Sequence, residues 1–274
     1  MSKIRNLFVN KGSAVAYAVL SFIFAIIPED CFKLSVKEDE WPDATIILIN
    51  RIIICVIVLV LANIVYCIYR KMRKKVTIRG NNHIIQIEYG NLFAIKSGKI
   101  VIDFDECYTT RVGSAPSDIK PDSVCGQYLS KHPIVSMEKL INYAGVKAAK
   151  GKSEYNGQIR YTPGTIVPNE DFLLMAFAKL DKDGLGKLTY DEYIECLNTL
   201  WQQIDKYHGT SDVYMPVLGS KITRFDRELS QQELLDIMIS SYRLSTKKLR
   251  QPYKLHIVCR EREGFSLNDV YGVN

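Results

Sequence analysis

Hydrophobic and polar positions divide the chain into two parts. Residues 12–27 carry no charge and end at Pro28-Glu29-Asp30. A second apolar run, residues 44–69, is broken only by Asn50-Arg51 and is free of charge from Ile52 to Tyr69. A helix rises about 1.5 Å per residue, so a bilayer core of about 30 Å takes about 20 residues. The second run meets that length. The first reaches it by borrowing flanking residues such as Phe8 and Val9, or Cys31 and Phe32. A buried globular helix rarely stays apolar on every face, and the end of the first run lacks the small-x-small pattern of a signal-peptide cleavage site. Two transmembrane helices are therefore predicted within residues 1–75.

After Tyr69 the pattern becomes that of a globular α/β domain, residues 76–274. Residues 76–79 and 84–89 read as a hairpin about the turn Gly80-Asn81-Asn82. Residues 99–104 (KIVIDF) and 172–180 read as strands apolar on both faces, as in the interior of a covered sheet. Helical spacing runs through residues 136–150. Thr189-Tyr-Asp-Glu192 and Ser230-Gln-Gln-Glu233 are capping boxes, opening a helix with Tyr193, Leu197, Leu200, Trp201 and Ile204 on one face and another reaching about Leu249. Residues 213–218 and 255–259 complete the strands. This alternation predicts a three-layer α/β fold with a largely parallel or mixed sheet.

Charge sets the orientation. Lys3, Arg5 and Lys11 precede the first run, and Arg70, Lys71, Arg73, Lys74 and Lys75 follow the second. The segment between them holds Glu29, Asp30, Glu38, Asp39, Glu40 and Asp43 against Lys33 and Lys37. Basic flanks stay cytoplasmic, which predicts a two-pass membrane protein with both termini inside and Trp41 as an outer interfacial anchor. The net charge of +6 in 274 residues is thereby assigned to juxtamembrane contacts with anionic lipid rather than to nucleic acid. Arg51, inside the second run, either snorkels to the headgroups or joins Asn63 in a polar seam between subunits.

Chemical motifs are sparse. The four histidines are scattered and the seven cysteines form no C-x-x-C pair, so a zinc site or redox dithiol is not expected. Asp181–Glu192 superficially matches a calcium loop, but Leu185 stands where an oxygen donor is needed, leaving a connecting turn. No Walker A, G-x-G-x-x-G or G-x-S-x-G pattern occurs. What remains is the loop Pro216-Val-Leu-Gly219-Ser220-Lys221-Ile222-Thr223-Arg224-Phe225. It follows a strand and precedes a capped helix, where turn N–H groups aided by Lys221 or Arg224 can hold a diphosphate.

The order of segments Tyr89-Gly90-Asn91-Leu92-Phe93, the strand ending at Asp105-Glu106, Ser123-Val-Cys-Gly126-Gln127-Tyr128, Tyr161-Thr-Pro-Gly164-Thr165 and the 216–225 loop resembles the macro domain. It is similar to the divergent, membrane-tethered macro domains of Thoeris anti-phage defence effectors, which carry two N-terminal transmembrane helices. The resemblance runs over essentially the whole chain and implies a macro-like α/β/α fold with a mixed sheet. It implies a ligand site of Asn91, Leu92, Asp105, Gly126, Gln127, Gly164, Thr165, Gly219, Ser220, Lys221, Ile222, Thr223 and Arg224. Gly90-Asn91-Leu92 takes the place of the adenine-side Gly-Asp-Ile turn, Asp105 lies near the ribose-side position, and Lys221 replaces a phosphate-loop glycine. These departures bear on hydrolysis more than on binding, so the domain is expected to bind rather than to catalyse, with no metal and no cofactor.

The ligand implied is an ADP-ribose derivative, such as histidine-linked ADP-ribose, made by a TIR-domain partner enzyme. Its binding is implied to drive homo-oligomerisation and membrane damage. Two rivals are a membrane-anchored ADP-ribosyl hydrolase or deacetylase, for which Asp103, Asp105 and Glu106 are the nearest carboxylates, and an adaptor for ADP-ribosylated protein.

Overall fold

The structure is a computed structural model that describes residues 9–33, 42–115, 118–155, 157–220, 223–261 and 264–270. Trp41, Lys37, Lys3, Arg5 and the acidic trio Glu38, Asp39 and Glu40 lie outside them, as do Lys221 and Ile222. The chain divides into two compact units, Met1–Arg73 and Lys74–Asn274.

In the first unit, α1 (Lys11–Ile26) starts where Asn10 Oδ1 accepts the Ser13 N–H at 2.9 Å, an N-cap that satisfies a free donor of the first turn. Its 16 residues make about 24 Å, short of a bilayer core. The flanks do not continue the helix. Val9 precedes the cap, Ile27 is already extended, and Cys31 and Phe32 belong to a separate 3₁₀ turn, Glu29–Phe32. The expectation of two spanning helices is met by length only in α2 (Asp43–Met72), whose 30 residues make about 45 Å. Asp43 in its first turn and Arg70 and Lys71 in its last oppose the helix dipole favourably.

α1 and α2 pack through small and polar residues. A Cβ on Gly12 would lie 2.8 Å from the Tyr66 Cβ, so glycine is what lets the helices approach. Asn10 Nδ2 donates to Asn63 Oδ1 at 2.7 Å, and Asn63 Nδ2 donates to the Leu59 carbonyl at 2.8 Å and to Ser13 Oγ at 3.4 Å. Arg51 pairs with Glu29 at 3.1 Å, its guanidinium over the rings of Phe24 and Phe32. Arg51 and Asn63 thus find partners within their own chain, as polar groups held away from water do.

Among the described residues, the second unit is built on one mixed sheet of nine strands. They are β1 (Lys75–Gly80), β2 (His83–Tyr89), β3 (Lys99–Asp105), β4 (Ile166–Asn169), β5 (Phe172–Leu180), β6 (Gly186–Leu188), β7 (Val213–Pro216), β8 (Arg224–Phe225) and β9 (Lys254–Cys259). Their order is β1-β2-β9-β7-β3-β5-β6-β8, with β4 on β5. β1 and β2 form the expected antiparallel hairpin, whereas β2, β9, β7, β3 and β5 run parallel. In β3, Val101 points to one core and Ile100, Ile102 and Phe104 to the other. β5 divides in the same way, so both strands carry apolar residues on both faces because both sheet faces are covered.

Among the described residues, four helices supply that cover: α3 (Val124–Lys131), α4 (Met137–Ala144), α5 (Tyr190–Tyr207) and α6 (Gln231–Leu244). α5 and α6 bury Leu197, Leu200, Trp201, Leu235 and Met238 on one face; α3 and α4 bury Cys125, Tyr128, Leu129 and Ile141 on the other. Both capping boxes are present, Thr189 with Glu192 and Ser230 with Glu233. Trp201 Nε1 donates to Ser241 Oγ at 2.9 Å, tying α5 to α6.

Element ends depart from the sequence reading in three places. The helix expected over 136–150 stops at Ala144, because Gly145 takes the left-handed conformation (φ 62°) and returns its N–H to Ile141 and Asn142, a glycine stop. The helix expected to reach Leu249 ends at Leu244; Leu249 N–H instead donates to the Tyr242 hydroxyl at 2.8 Å. The strand expected over 213–218 stops at Pro216.

Candidate functional site

The parallel strands β2, β9, β7 and β3 all end at the same edge of the sheet, where a cleft of about 480 Å³ opens. In open α/β sheets this edge is where ligands sit. Its floor carries Asp103 from β3, Pro216 from β7 and Val258 and Arg260 at the end of β9. One wall is the turn after β2, Gly90 to Phe93. The opposite wall is the loop after β7, with Val217, Gly219, Ser220 and Thr223. Asp122, Ser123, Val124 and Gln127 from the start of α3 and Gln231 from the start of α6 close the rim. Two helix N-termini therefore meet at one cleft, and their unpaired N–H groups favour an anion there.

Each wall has a local cause. Asn91 caps the 3₁₀ turn Leu92–Ala94, its Oδ1 accepting the Phe93 N–H at 3.0 Å, so its side chain shapes the turn while Leu92 is buried beneath it. Gly219 has φ 78°, and a Cβ there would come within 2.7 Å of the Phe225 ring. Only glycine fits, and the backbone is left bare at the cleft wall. Ser123 caps α3 by accepting the Gly126 N–H at 2.9 Å.

Of the residues nominated from sequence, the structure brings Asn91, Leu92, Gln127, Gly219, Ser220 and Thr223 to the cleft. Gly126 lies inside α3, a helix that the sequence pattern does not predict. A Cβ on it would meet the Lys120 carbonyl at 2.2 Å, so its smallness serves packing. Gly164 and Thr165 lie away from the cleft. Gly164 presses on α5, where a Cβ would meet the Cys196 carbonyl at 2.3 Å, and the Thr165 carbonyl accepts the Tyr108 hydroxyl at 2.8 Å. Arg224 pairs in β8 with β6 and lines adjoining hollows. Lys221 and Ile222 lie outside the described residues.

The nominated carboxylates separate by environment. Asp105 is buried, and its Oδ1 accepts the N–H groups of Cys107 at 2.8 Å and Thr109 at 3.1 Å. Burial still pushes its pKa up, against the hydrogen bonds that hold it down. Glu106 accepts from Ser153 Oγ at 2.9 Å and the Leu180 N–H at 3.2 Å, with Arg160 at 3.7 Å. It is committed to holding the fold. Asp103 faces the cleft. Burial pushes it up to about 6, opposed by the positive charge of Arg260. Sequence reasoning did not single out Arg260, Gln231 or Val258. The alternation in KIVIDFD did carry a signal, since a period of two puts Val101, Asp103 and Asp105 on one face.

Residues 85–260 match the family model described as Thoeris protein ThsA, Macro domain, well over half of the chain. The chain belongs to the Thoeris ThsA macro-domain family. It is 28% identical over 203 residues to the Thoeris protein ThsA of Bacillus amyloliquefaciens (strain Y2), covering 70% of this chain and 68% of that one. Solved structures of Oceanobacillus iheyensis macrodomain variants are also similar. One, at 11% identity, covers 69% of this chain and 91% of its own with a TM-score of 0.44. Another, solved with ADPR, has 13% identity, the same coverages and a TM-score of 0.42. The region matched by the family model takes in all of the cleft-lining residues, from Gly90 to Arg260. The macro-like fold and its mixed sheet are therefore those of this family.

Proposed function

We propose that the chain is a membrane-anchored sensor of anti-phage defence whose macro domain binds an ADP-ribose-derived signal in the cleft between Asn91 and Gly219. The observation that carries this reading is the joining, in one chain, of a ThsA-family macro fold with a helix, α2, long and apolar enough to cross a membrane. The cleft suits a nucleotide diphosphate: bare backbone at Gly219, two helix N-termini and the Arg260 guanidinium supply positive potential, while Leu92, Phe93, Val217 and Val258 supply an apolar surface for a base.

In this reading the signal is histidine-linked ADP-ribose or a close relative released by a TIR-domain enzyme. α1 and α2 form a two-pass hairpin with both ends in the cytoplasm of a bacterial cell. Ligand binding favours an assembled state of several copies, in which the hairpins breach the membrane. A ligand shifts such an equilibrium only by its preference for one state, so the nucleotide must bind the assembly more tightly than the single copy. Only Arg73 and Lys74 separate α2 from β1, which leaves little slack between the sensor and its anchor. The test is dye release from liposomes carrying the full chain. Leakage on addition of the conjugate, with a larger species in detergent, is the expected outcome. Saturable binding with neither leakage nor a change in oligomer size overturns the effector reading.

A further inference from the structure

Three apolar side chains stand out on the surface of the second unit. Val135 is fully exposed, Tyr143 is 92% exposed and Leu244 84%, more than any other large apolar side chain among the described residues of that unit. Single exposed apolar residues are ordinary, but these three fall on two surfaces that match each other. Val135 stands one residue before the α4 cap, Ser136, whose Oγ accepts the Lys139 N–H at 3.3 Å. A residue there often packs back on the helix it precedes; Val135 does not. Tyr143 lies one turn beyond Lys139 on the outer side of α4, while Met137, Leu140 and Ile141 pack inward. The outer side is therefore a ridge of apolar knobs. Lys139, with Lys147 and Lys150 just past the helix, outnumbers Glu138 in charge along it.

Leu244, in the last turn of α6, lines a groove of about 670 Å³ between the outer sides of α5 and α6. Ile194 of α5 and Ile237 of α6, both half-buried, give it an apolar lining, and the short side chains of Ser240 and Ser241 leave room above them. Its charge is opposite to that of the ridge. Glu233 and Asp236 line it and Asp191 and Glu195 are exposed beside it on α5, against Arg227 and Arg243. Arg227 is already stacked over the Tyr190 ring at 4.6 Å.

We infer that the α4 ridge of one copy seats in the α5–α6 groove of a second copy. Apolar knobs meet an apolar hollow, and an excess of lysine meets an excess of carboxylate, the complementarity that fixes register between partners. α4 covers one face of the sheet, α5 and α6 the other, so one copy cannot use both surfaces against the same neighbour. Each pair is left with a free ridge and a free groove. Such a head-to-tail contact builds a ring or an open row rather than a closed two-fold dimer. The inference rests on the assembly proposed above and names the contact that makes it.

Cysteine cross-linking of the full chain in liposomes, with the histidine conjugate of ADP-ribose added, tests it. Val135→Cys and Leu244→Cys are made in separate chains; both positions are exposed, so neither change disturbs the core. With a short bismaleimide, the mixture of the two is expected to give a 135–244 linked peptide, and Val135→Cys alone no 135–135 link. Mass spectrometry separates these products from links made by the native cysteines. Tyr143→Ala and Leu244→Asp should each weaken assembly about 10-fold, read by sedimentation in detergent, with the melting temperature unchanged. Salt at about 0.5 M should weaken it as well. Assembly of the parent with no 135–244 link, or with a 135–135 link in its place, overturns this inference alone. Leakage lost in the two variants while oligomer size is unchanged assigns the ridge to lipid and likewise overturns it. Absence of any larger species from the parent overturns the effector reading and this inference with it.

Discussion

The two units of this chain are built inside out relative to each other. In the second, the large apolar side chains of β3, β5, α5 and α6 are buried and most charge lies outside, Asp105 and Glu106 being exceptions. In the first, Ile57 is 51% and Val65 65% exposed, while Ser13 and Asn50 are buried. The residue types are similar; the arrangement is reversed. A helix that turns its isoleucines outward and its asparagines inward is matched to a hydrocarbon surrounding, where backbone groups must pair internally and polar side chains seek protein partners. Burial thus reports which solvent each unit is built for.

The contrast can be broken from either side. The largest effect is expected in the water-facing unit. Trp201→Ala removes a buried side chain and its bond to Ser241, and should cost about 3–5 kcal/mol, read as a lower urea midpoint for the soluble unit with the membrane fraction unchanged. Next is Ile57→Asp. On a water-exposed helix it would be nearly neutral, but near the centre of a spanning helix it should cost about 3 kcal/mol, seen as loss of the chain from the membrane fraction. Equal membrane partitioning of variant and parent would refute the inside-out reading of α2.

A smaller effect sharpens the comparison within the soluble unit. Asp103 has a folded pKa of about 6 against an ordinary 3.8, so the folded state binds its proton more tightly than the unfolded chain does. Stability from this site is full at low pH and declines as pH rises from about 4 through 6. Asp103→Asn should therefore stabilise the domain by about 1–3 kcal/mol at pH 7.5, with no gain below pH 4, as followed by thermal melts across pH. A variant that is destabilised at pH 7.5 would show that Asp103 has a structural partner instead.

Much of the fold was legible beforehand. The β1–β2 hairpin followed from Gly80-Asn81-Asn82, both capping boxes were readable as four-residue patterns, and the two-faced apolar strands β3 and β5 announced a covered sheet. The short strands β4, β6 and β8 were not legible, because two to four residues carry no period and gain their pairing from neighbours already in place. The helix α3 was hidden for a related reason. Its eight residues include Gly126, a poor helix former, yet its start is set by Ser123 and its packing against Lys120 demands the glycine. The glycines of the candidate site divide in the same way. Gly126, Gly164 and Gly219 look alike in sequence, and only their surroundings separate two packing contacts from one bare cleft wall.

Local sequence was enough to specify the elements and their faces, since helix caps, turn residues and the periods of strand and helix act over a few residues. It was also enough to show that one long apolar helix is joined to an α/β unit, because a long uncharged run needs no tertiary information to be recognised. Which carboxylates meet was left to the packed fold. A period of two puts Asp103 and Asp105 on the same side of β3, but whether a partner stands opposite them depends on α3, β8 and the end of β9, segments brought there by packing from distant parts of the chain.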